Sequence, residues 1–591
     1  MLNIGFEKFR ACLRSHRSMR INLVSSLLST MVRIVQLCLR RWATGQSQDS
    51  GSLQQQGYAA TRGRDSIRVF ARFALACLSL LAVAQIEGCA SLPPSAKAES
   101  FALPANDADP LVELAKASTS PGAGSSFRPM PFSRISMDTR LALAKRASHT
   151  LDLQYYLIQD DTTGKTLLRA VRDAALRGVR VRILVDDLYT DTTERLLLDL
   201  SATPNVEIRL FNPFPAGRTS ALMKWALSLD DFSRLNHRMH NKLFIADGAF
   251  AVAGGRNIAD EYFFQSHVGN FIDFDLLLAG DAVPRLESIF DSYWNSPRVY
   301  PLSSVDKSPD DLATRQAAFE RETAGETAFN SAPAAVADQF GFLPFSQEAD
   351  QLRLNILSGE VETFADTPEK VSGRAEKGDD ASTVTSRVLR AISNANTDVL
   401  LVSPYFVPGE VGMAALQKVR DRGVKVTLIT NAVGVNDEPL ASAAYATYRV
   451  RMLRMGIDIY EVSSQGLHAN KDVEAVIARD SIGRSHAKIV VIDSDTTFVG
   501  SMNMDFRSSR ENTEMGMFVH SQQLSLDVIS LLNGIQSTGS YRLRLASDGK
   551  SLEWVTMENG IEVTYKSEPE VSFGTRLKMW FLAPLVSEKM L

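Results

Sequence analysis

His240-Asn-Lys242-Leu-Phe-Ile-Ala-Asp247-Gly-Ala-Phe-Ala-Val-Ala-Gly254-Gly255-Arg-Asn257 is written a second time as His486-Ala-Lys488-Ile-Val-Val-Ile-Asp493-Ser-Asp-Thr-Thr-Phe-Val-Gly500-Ser501-Met-Asn503, each matched residue 246 positions further on. Strand alternation puts His240 and Lys242 on one side and turns Asn241 and Leu243 away. A turn at Asp247-Gly248 returns a second strand whose glycine end brings Asn257 near that pair. Each copy therefore gathers an imidazole, an ammonium and a carboxamide. A lone His-x-Lys on a strand is usually a solvated edge. Two copies at identical spacing reverse that reading, because face to face they offer one imidazole on each side of a phosphorus and enough donors for its equatorial oxygens.

The repetition extends outward. Leu151-Asp-Leu-Gln-Tyr-Tyr-Leu reads as a strand, Gly164–Gly178 as a helix with Leu168, Val171 and Ala175 on one face, and Val179–Asp186 as the next strand. Val399-Leu-Leu-Val-Ser-Pro-Tyr-Phe, a helix carrying Leu416 and Val419, and Val424-Lys-Val-Thr-Leu-Ile-Thr repeat that order. A period of about 250 residues predicts two α/β lobes rather than a solenoid. The expected boundaries are lobe 1 over 131–300, a partly helical connector over 301–385, lobe 2 over 386–545 and an addition over 546–591.

The 591 residues are 45% hydrophobic and 22% charged, which supplies more than one core and excludes a disordered chain or a polytopic membrane protein. All four cysteines, Cys12, Cys38, Cys77 and Cys89, come early. Beyond Cys89 no disulfide, thiolate metal site or cysteine nucleophile can form. The net charge of −4, with +7 in residues 1–65 and +1 in 66–88, leaves −12 for the remainder. Such a body binds a nucleic-acid backbone poorly, so nucleic acid is not the expected partner.

Arg68 and Arg72 precede Phe73–Ala84, an apolar run too short to span a bilayer and suited to a signal peptide over 66–88. Ile86-Glu87-Gly88-Cys89 resembles a bacterial lipobox, with Glu87 where a small residue is usual. Cys89 is thus the expected lipidation site, followed by a tether over 89–130. The basic stretch 1–65 reads as sequence upstream of the true start, with a basic amphipathic membrane segment as the alternative. The implied location is the bacterial cell envelope, lipid-anchored with the catalytic body on the periplasmic side, the choice of inner or outer membrane staying open.

The duplicated motif resembles that of the phospholipase D superfamily, His-x-Lys-x4-Asp-x6-Gly-(Gly/Ser)-x-Asn, and both copies match every position. The resemblance implies an α/β fold of two lobes related by a pseudo-two-fold axis, each a mixed sheet flanked by helices, with the active site between them. It implies that His240 attacks phosphorus to give a phosphohistidine while His486 serves as acid and base. Lys242, Lys488, Asn257 and Asn503 would hold the phosphoryl oxygens, and Asp247 and Asp493 would be structural. Asp275 and Glu514, which follow the two motifs, would fix the imidazole tautomers. Ser501 stands where lobe 1 has Gly255, so any role of that hydroxyl is confined to lobe 2. His237 and His267 have no counterparts in the second copy and read as surface or hydrogen-bonding residues. No metal ligand cluster is visible, and no cofactor is expected.

Asn236-His-Arg-Met-His-Asn-Lys242, Asp366-Thr-Pro-Glu-Lys370 and the closing Phe581-Leu-Ala-Pro-Leu are similar to the C-type bacterial cardiolipin synthases. Pro404-Tyr405-Phe406-Val407-Pro408 resembles a segment near the active-site mouth of cardiolipin synthases, and Tyr155 and Tyr156 hold the equivalent place in lobe 1. That group implies transfer of a phosphatidyl unit onto phosphatidylglycerol, with phosphatidylethanolamine as donor, at a membrane surface. An accessory protein is not identifiable from sequence. The competing readings are a periplasmic phosphodiesterase hydrolysing phospholipid or nucleic acid, and a lipoprotein that only binds anionic head groups.

Overall fold

In the first lobe, Ser125–Met130 (β1), Thr150–Tyr155 (β2), Arg180–Asp186 (β3), Val206–Phe211 (β4), Lys242–Ala246 (β5), Phe250–Gly254 (β6), Gly269–Ile272 (β7), Asp275–Gly280 (β8) and Val299–Pro301 (β9) are strands. After Leu357–Ala365 (β10), the second lobe continues with Asp398–Val402 (β11), Lys425–Asn431 (β12), Asp458–Val462 (β13), Ile482–Ser485 (β14), Ile489–Ile492 (β15), Thr496–Gly500 (β16), Met515–His520 (β17), Ser540–Leu545 (β18), Leu552–Glu558 (β19) and Ile561–Tyr565 (β20). This is a computed structural model, and it describes residue 92 and residues 97–571 apart from 123, 219–222, 225–227, 229–230, 307, 326–336, 373–381, 470–480 and 559. The basic extension, the leader, Cys89 and the closing Phe581–Leu591 stretch lie outside the described residues. No helix among the described residues is long and apolar enough to cross a membrane.

Strand pairing repeats as the sequence does. β4, β3 and β2 run parallel, then β5, β6 and β8 add antiparallel. β13, β12, β11, β15, β16 and β17 reproduce that order and sense. The parallel steps cross over through helices, as parallel pairing requires. One crossover is Thr162–Leu176 (α1), capped by Asp161 at the Gly164 N–H and burying Leu167, Leu168 and Val171. Gly409–Asp421 (α2) is its counterpart in lobe 2.

Alternation sorts each strand between two cores. Phe244 and Ala246 of β5 enter lobe 1's own core, while Leu243 and Ile245 enter a core shared by both lobes. In β15, Ile489 and Val491 join that shared core, and Val490 and Ile492 turn to the core of lobe 2. Ala282–Trp294 (α3) and Gln522–Thr538 (α4) contribute Leu286, Phe290, Leu524 and Val528 to the shared layer.

Two expected segments change character. The segment 89–130 is not a tether throughout, because β1 is buried along its length and Leu111, Val112 and Leu114 of an upstream helix are buried with it. The region 301–385 is not simply a partly helical connector. It holds helices Leu312–Thr323 and Phe345–Asp350, but also β10, whose Leu357–Gly359 pairs with β1 and whose Glu360–Ala365 pairs with β17. β1 stands beside β8 as β10 stands beside β17, and the two meet antiparallel, Ser126 opposite Ser358, to close the lobes into one eighteen-stranded sheet. Residues after 545 extend that sheet through β19 and β20.

Candidate active site

The two motif turns set the site's foundations. Asp247 and Gly248 both have positive φ, 51° and 62°, the backbone of a tight hairpin turn that suits the right-handed twist of its strands. Asp493 and Ser494 adopt 53° and 51° at the equivalent turn. Each aspartate then closes the start of the neighbouring strand. Asp247 accepts from the N–H groups of Ser148, His149 and Thr150, and Asp493 from those of Asn396 and Thr397. Both sit at the foot of their strands as structural residues.

At the other strand ends the lobes exchange partners. The His240 N–H donates to Thr513 O at 2.9 Å, and His240 Nδ1 lies 2.9 Å from the Glu514 carboxylate of lobe 2. β14 pairs parallel with β7, so the His486 N–H donates to Ile272 O at 2.7 Å and His486 Nδ1 lies 2.7 Å from the Asp273 carboxylate of lobe 1. Each histidine is oriented by the carboxylate of the opposite lobe. Each lysine donates to the carbonyl of its own histidine, Lys242 Nζ to His240 O and Lys488 Nζ to His486 O, both at 2.6 Å.

Asp273, not Asp275, therefore holds His486. Asp275 is fully buried in a different cluster, bonded to Ser136 at 2.8 Å and Arg140 at 3.1 Å, with Arg256 at 3.4 Å. Strand register explains the displacement. Gly254 pairs with Asp275 and Gly500 pairs with Gly516, so the residues two places earlier, Asp273 and Glu514, are the equivalents. The loop between motif and strand is five residues longer in lobe 1, since Asn257 precedes Asp273 by sixteen positions and Asn503 precedes Glu514 by eleven. A Cβ on Gly255 would come within 2.0 Å of the Asp273 carboxylate, whereas Ser501 donates to Glu514 at 2.5 Å.

Burial dominates the electrostatics. It lowers His240 to about 4, and it lowers His486 as well, with Lys488 and Lys242 adding to the second effect. A neutral His240 whose Nδ1–H is given to Glu514 carries its lone pair on Nε2, whereas at His486 the Lys488 Nζ lies 2.8 Å from Nδ1 and 2.9 Å from Nε2. Burial alone would raise the Glu514 carboxyl, but His240, Lys242 and Ser501 outweigh it and hold it below its ordinary value. Burial raises Asp273 to about 6 against Lys488 and Arg256, and lowers Lys488 to about 8.

The histidines open on a cavity of about 470 Å³ that Asn257 and Asn503 also line. The Asn257 Nδ2 donates to Tyr262 at 2.9 Å, and the side-chain oxygens of both asparagines have no partner. Aromatic rings wall the imidazoles. Tyr156 stands edge-on to His240 at 4.9 Å, and Tyr262 edge-on to His486 at 5.0 Å. Tyr405 also lines the cavity, whereas Tyr155 faces away and bonds Arg140. His237 bonds Ser233 O and Glu511 and does not line that cavity. Asp366 of the Asp366–Lys370 stretch accepts from the Glu514 N–H at 3.0 Å and from Lys370 Nζ at 2.7 Å, and Lys370 also bonds Ser508 O.

The family model described as "Cardiolipin synthase, PLD-like domain" matches residues 141–294 and 388–535. The chain is 33% identical over 453 residues to cardiolipin synthase C of Escherichia coli (strain K12), covering 76% of this chain and 92% of that protein. It is 25% identical over 377 residues to a cardiolipin synthase of Geobacillus kaustophilus (strain HTA426), covering 64% and 59%. Among solved structures, phosphatidylserine synthase of Haemophilus influenzae Rd KW20 superposes with a TM-score of 0.50 at 13% identity, covering 78% of this chain and 94% of that one, which speaks for the fold alone.

Proposed function

The chain belongs to the cardiolipin synthase family with phospholipase D-like domains, and from that premise we propose that this phospholipid phosphatidyltransferase moves a phosphatidyl group onto phosphatidylglycerol to make cardiolipin, with phosphatidylethanolamine as donor. The observation that carries the reading is the crossed pairing, His240 with Glu514 and His486 with Asp273. On this reading one imidazole from each lobe serves opposite faces of a single phosphorus.

In the first half-reaction His240 Nε2 attacks phosphorus as the bond to the head-group oxygen breaks. His486 gives its proton to the departing alkoxide, the donor's phosphate charge offsetting Lys242 and Lys488 so that His486 can carry that proton. In the second, the acceptor hydroxyl yields its proton to His486 and its oxygen displaces His240 from phosphorus. The two lysines and the Asn257 and Asn503 carboxamides hold the equatorial oxygens.

The test is lipid mass spectrometry on the full-length protein incubated with vesicles of phosphatidylglycerol and isotope-labelled phosphatidylethanolamine, with His240→Ala as control. Labelled cardiolipin and free ethanolamine support the synthase. Phosphatidic acid alone would convert the reading to a hydrolytic phospholipase. Anchoring in the cell envelope through Cys89 is proposed from the leader sequence. Cys89→Ala is expected to release the protein from washed membranes, and unchanged retention would count against that anchor.

A further inference from the structure

The mouth of the catalytic cavity carries charge of the wrong sign for an anion. Glu261 from lobe 1, and Asp437, Glu438 and Asp505 from lobe 2, line the same cavity as the two histidines. Asp505 is spent on the Ser508 N–H, at 2.8 Å. Asp437 accepts from the Tyr405 hydroxyl at 2.9 Å and is otherwise exposed, as is Glu438. Arg507 lines the cavity too, where it acts on Glu438 while bonded to Asn236, and Arg484 acts on Glu261, so the four carboxylates outnumber the one lining guanidinium. Carboxylates around a phosphodiester site repel the phosphate unless the same ligand brings a positive charge.

A second observation points to a donor-rich group. Asn512, only 7% exposed, lines this cavity, and its side-chain oxygen has no hydrogen-bond partner. A buried acceptor left unpaired is costly, and a ligand N–H that reaches it recovers that cost. The rings of Tyr189 and Tyr405 also line the cavity, and aromatic faces attract cations.

We propose that Glu261, Asp437 and Glu438, with the Asn512 side-chain oxygen and the rings of Tyr189 and Tyr405, form a subsite for a primary ammonium carried by the leaving alcohol of the donor lipid. The inference rests on the phosphatidyl-transfer reading above and adds to it the residues that choose the donor. A zwitterionic phosphodiester places its phosphate over the lysines and its ammonium among the carboxylates. An anionic donor leaves those carboxylates unpaired.

Calorimetric titration into the full chain reads the subsite without turnover. Glycerophosphoethanolamine is expected to bind about tenfold more tightly than glycerophosphoglycerol, the worth of one hydrogen bond to a charged group. The Glu261→Gln, Glu438→Gln double variant is expected to erase that preference. Equal affinities in the unaltered protein would overturn the proposal, whether or not the variant folds. In turnover, the ratio of kcat/KM for phosphatidylethanolamine to that for phosphatidyl-p-nitrophenol, whose leaving group carries no cation, is expected to fall about tenfold in the variant. A ratio within twofold of the original, or a loss confined to the KM for phosphatidylglycerol, would overturn it. A protein that transfers nothing but keeps the calorimetric preference refutes the synthase reading and leaves the subsite standing.

Discussion

On the proposed mechanism His240→Ala and His486→Ala each remove one half of a two-step exchange that the other histidine cannot replace, so each is expected to cut phosphatidyl transfer at least about a thousandfold with the fold retained. Gly255→Ser, which makes the lobe 1 motif match lobe 2, is expected to be harmful. Its Cβ would fall on the Asp273 carboxylate that orients His486, so a large loss of kcat in the folded protein is the outcome to measure. Asp275→Asn acts elsewhere. It unpairs Arg140 and Arg256 in a fully buried cluster and is expected to cost about 3–5 kcal/mol in denaturant titration, while Asp273→Asn costs activity first. The depressed His240 imidazole has a signature in stability. The unfolded chain takes up a proton there below about 6.5 and the folded chain only near 4. Between those values the unfolded state binds more protons, so stability falls as pH falls. His240→Asn lacks that titration, and its stability relative to the unaltered protein is expected to rise by up to roughly 3 kcal/mol from pH 6.5 to 4, followed by thermal melting.

Among the elements, the motif hairpins were legible because their chemistry is local. An Asp-Gly turn between two apolar runs dictates its own backbone, and the positive φ values at Asp247 and Gly248 follow from it. Gly248→Ala is expected to destabilise by about 1 kcal/mol, since its φ is 62° and a Cβ would meet Glu287 at 3.1 Å and Ala105 at 3.3 Å. What sequence did not disclose are pairings set by distant chain. β1 is six residues that carry Ser125, Ser126, Arg128 and Pro129, with no clean alternation, and it is buried because β8 and β10 flank it. The expectation at Asp275 fails for a related reason. Both acids follow the motif, and only the ladder between β6 and β8 tells which one reaches past the end of the sheet. That register was the available signal, and it needs the loop from Asn257 to Asp273 to be recognised as longer than its counterpart.

At the scale of the whole molecule, the duplication gave the two-lobed α/β fold and the paired motifs, while the fusion of the sheets through β1 and β10 and the exchange of carboxylates between lobes appeared only in three dimensions. A mixture of the His240→Ala and His486→Ala proteins is expected to stay inactive in the vesicle assay, because each chain holds both lobes of its own site and neither chain regains its missing imidazole. Recovery would require lobes exchanged between chains. The crossed pairs also bear on the history of a single molecule as it is made. A chain whose first lobe has folded ahead of its second holds His240, Lys242 and Asn257, yet Glu514 is not there to take the Nδ1 proton, and no second imidazole faces the phosphorus. Such a half-finished chain is chemically silent toward the lipids around it, and the capacity to cut and rejoin phosphodiesters arrives in one step, when the last lobe docks.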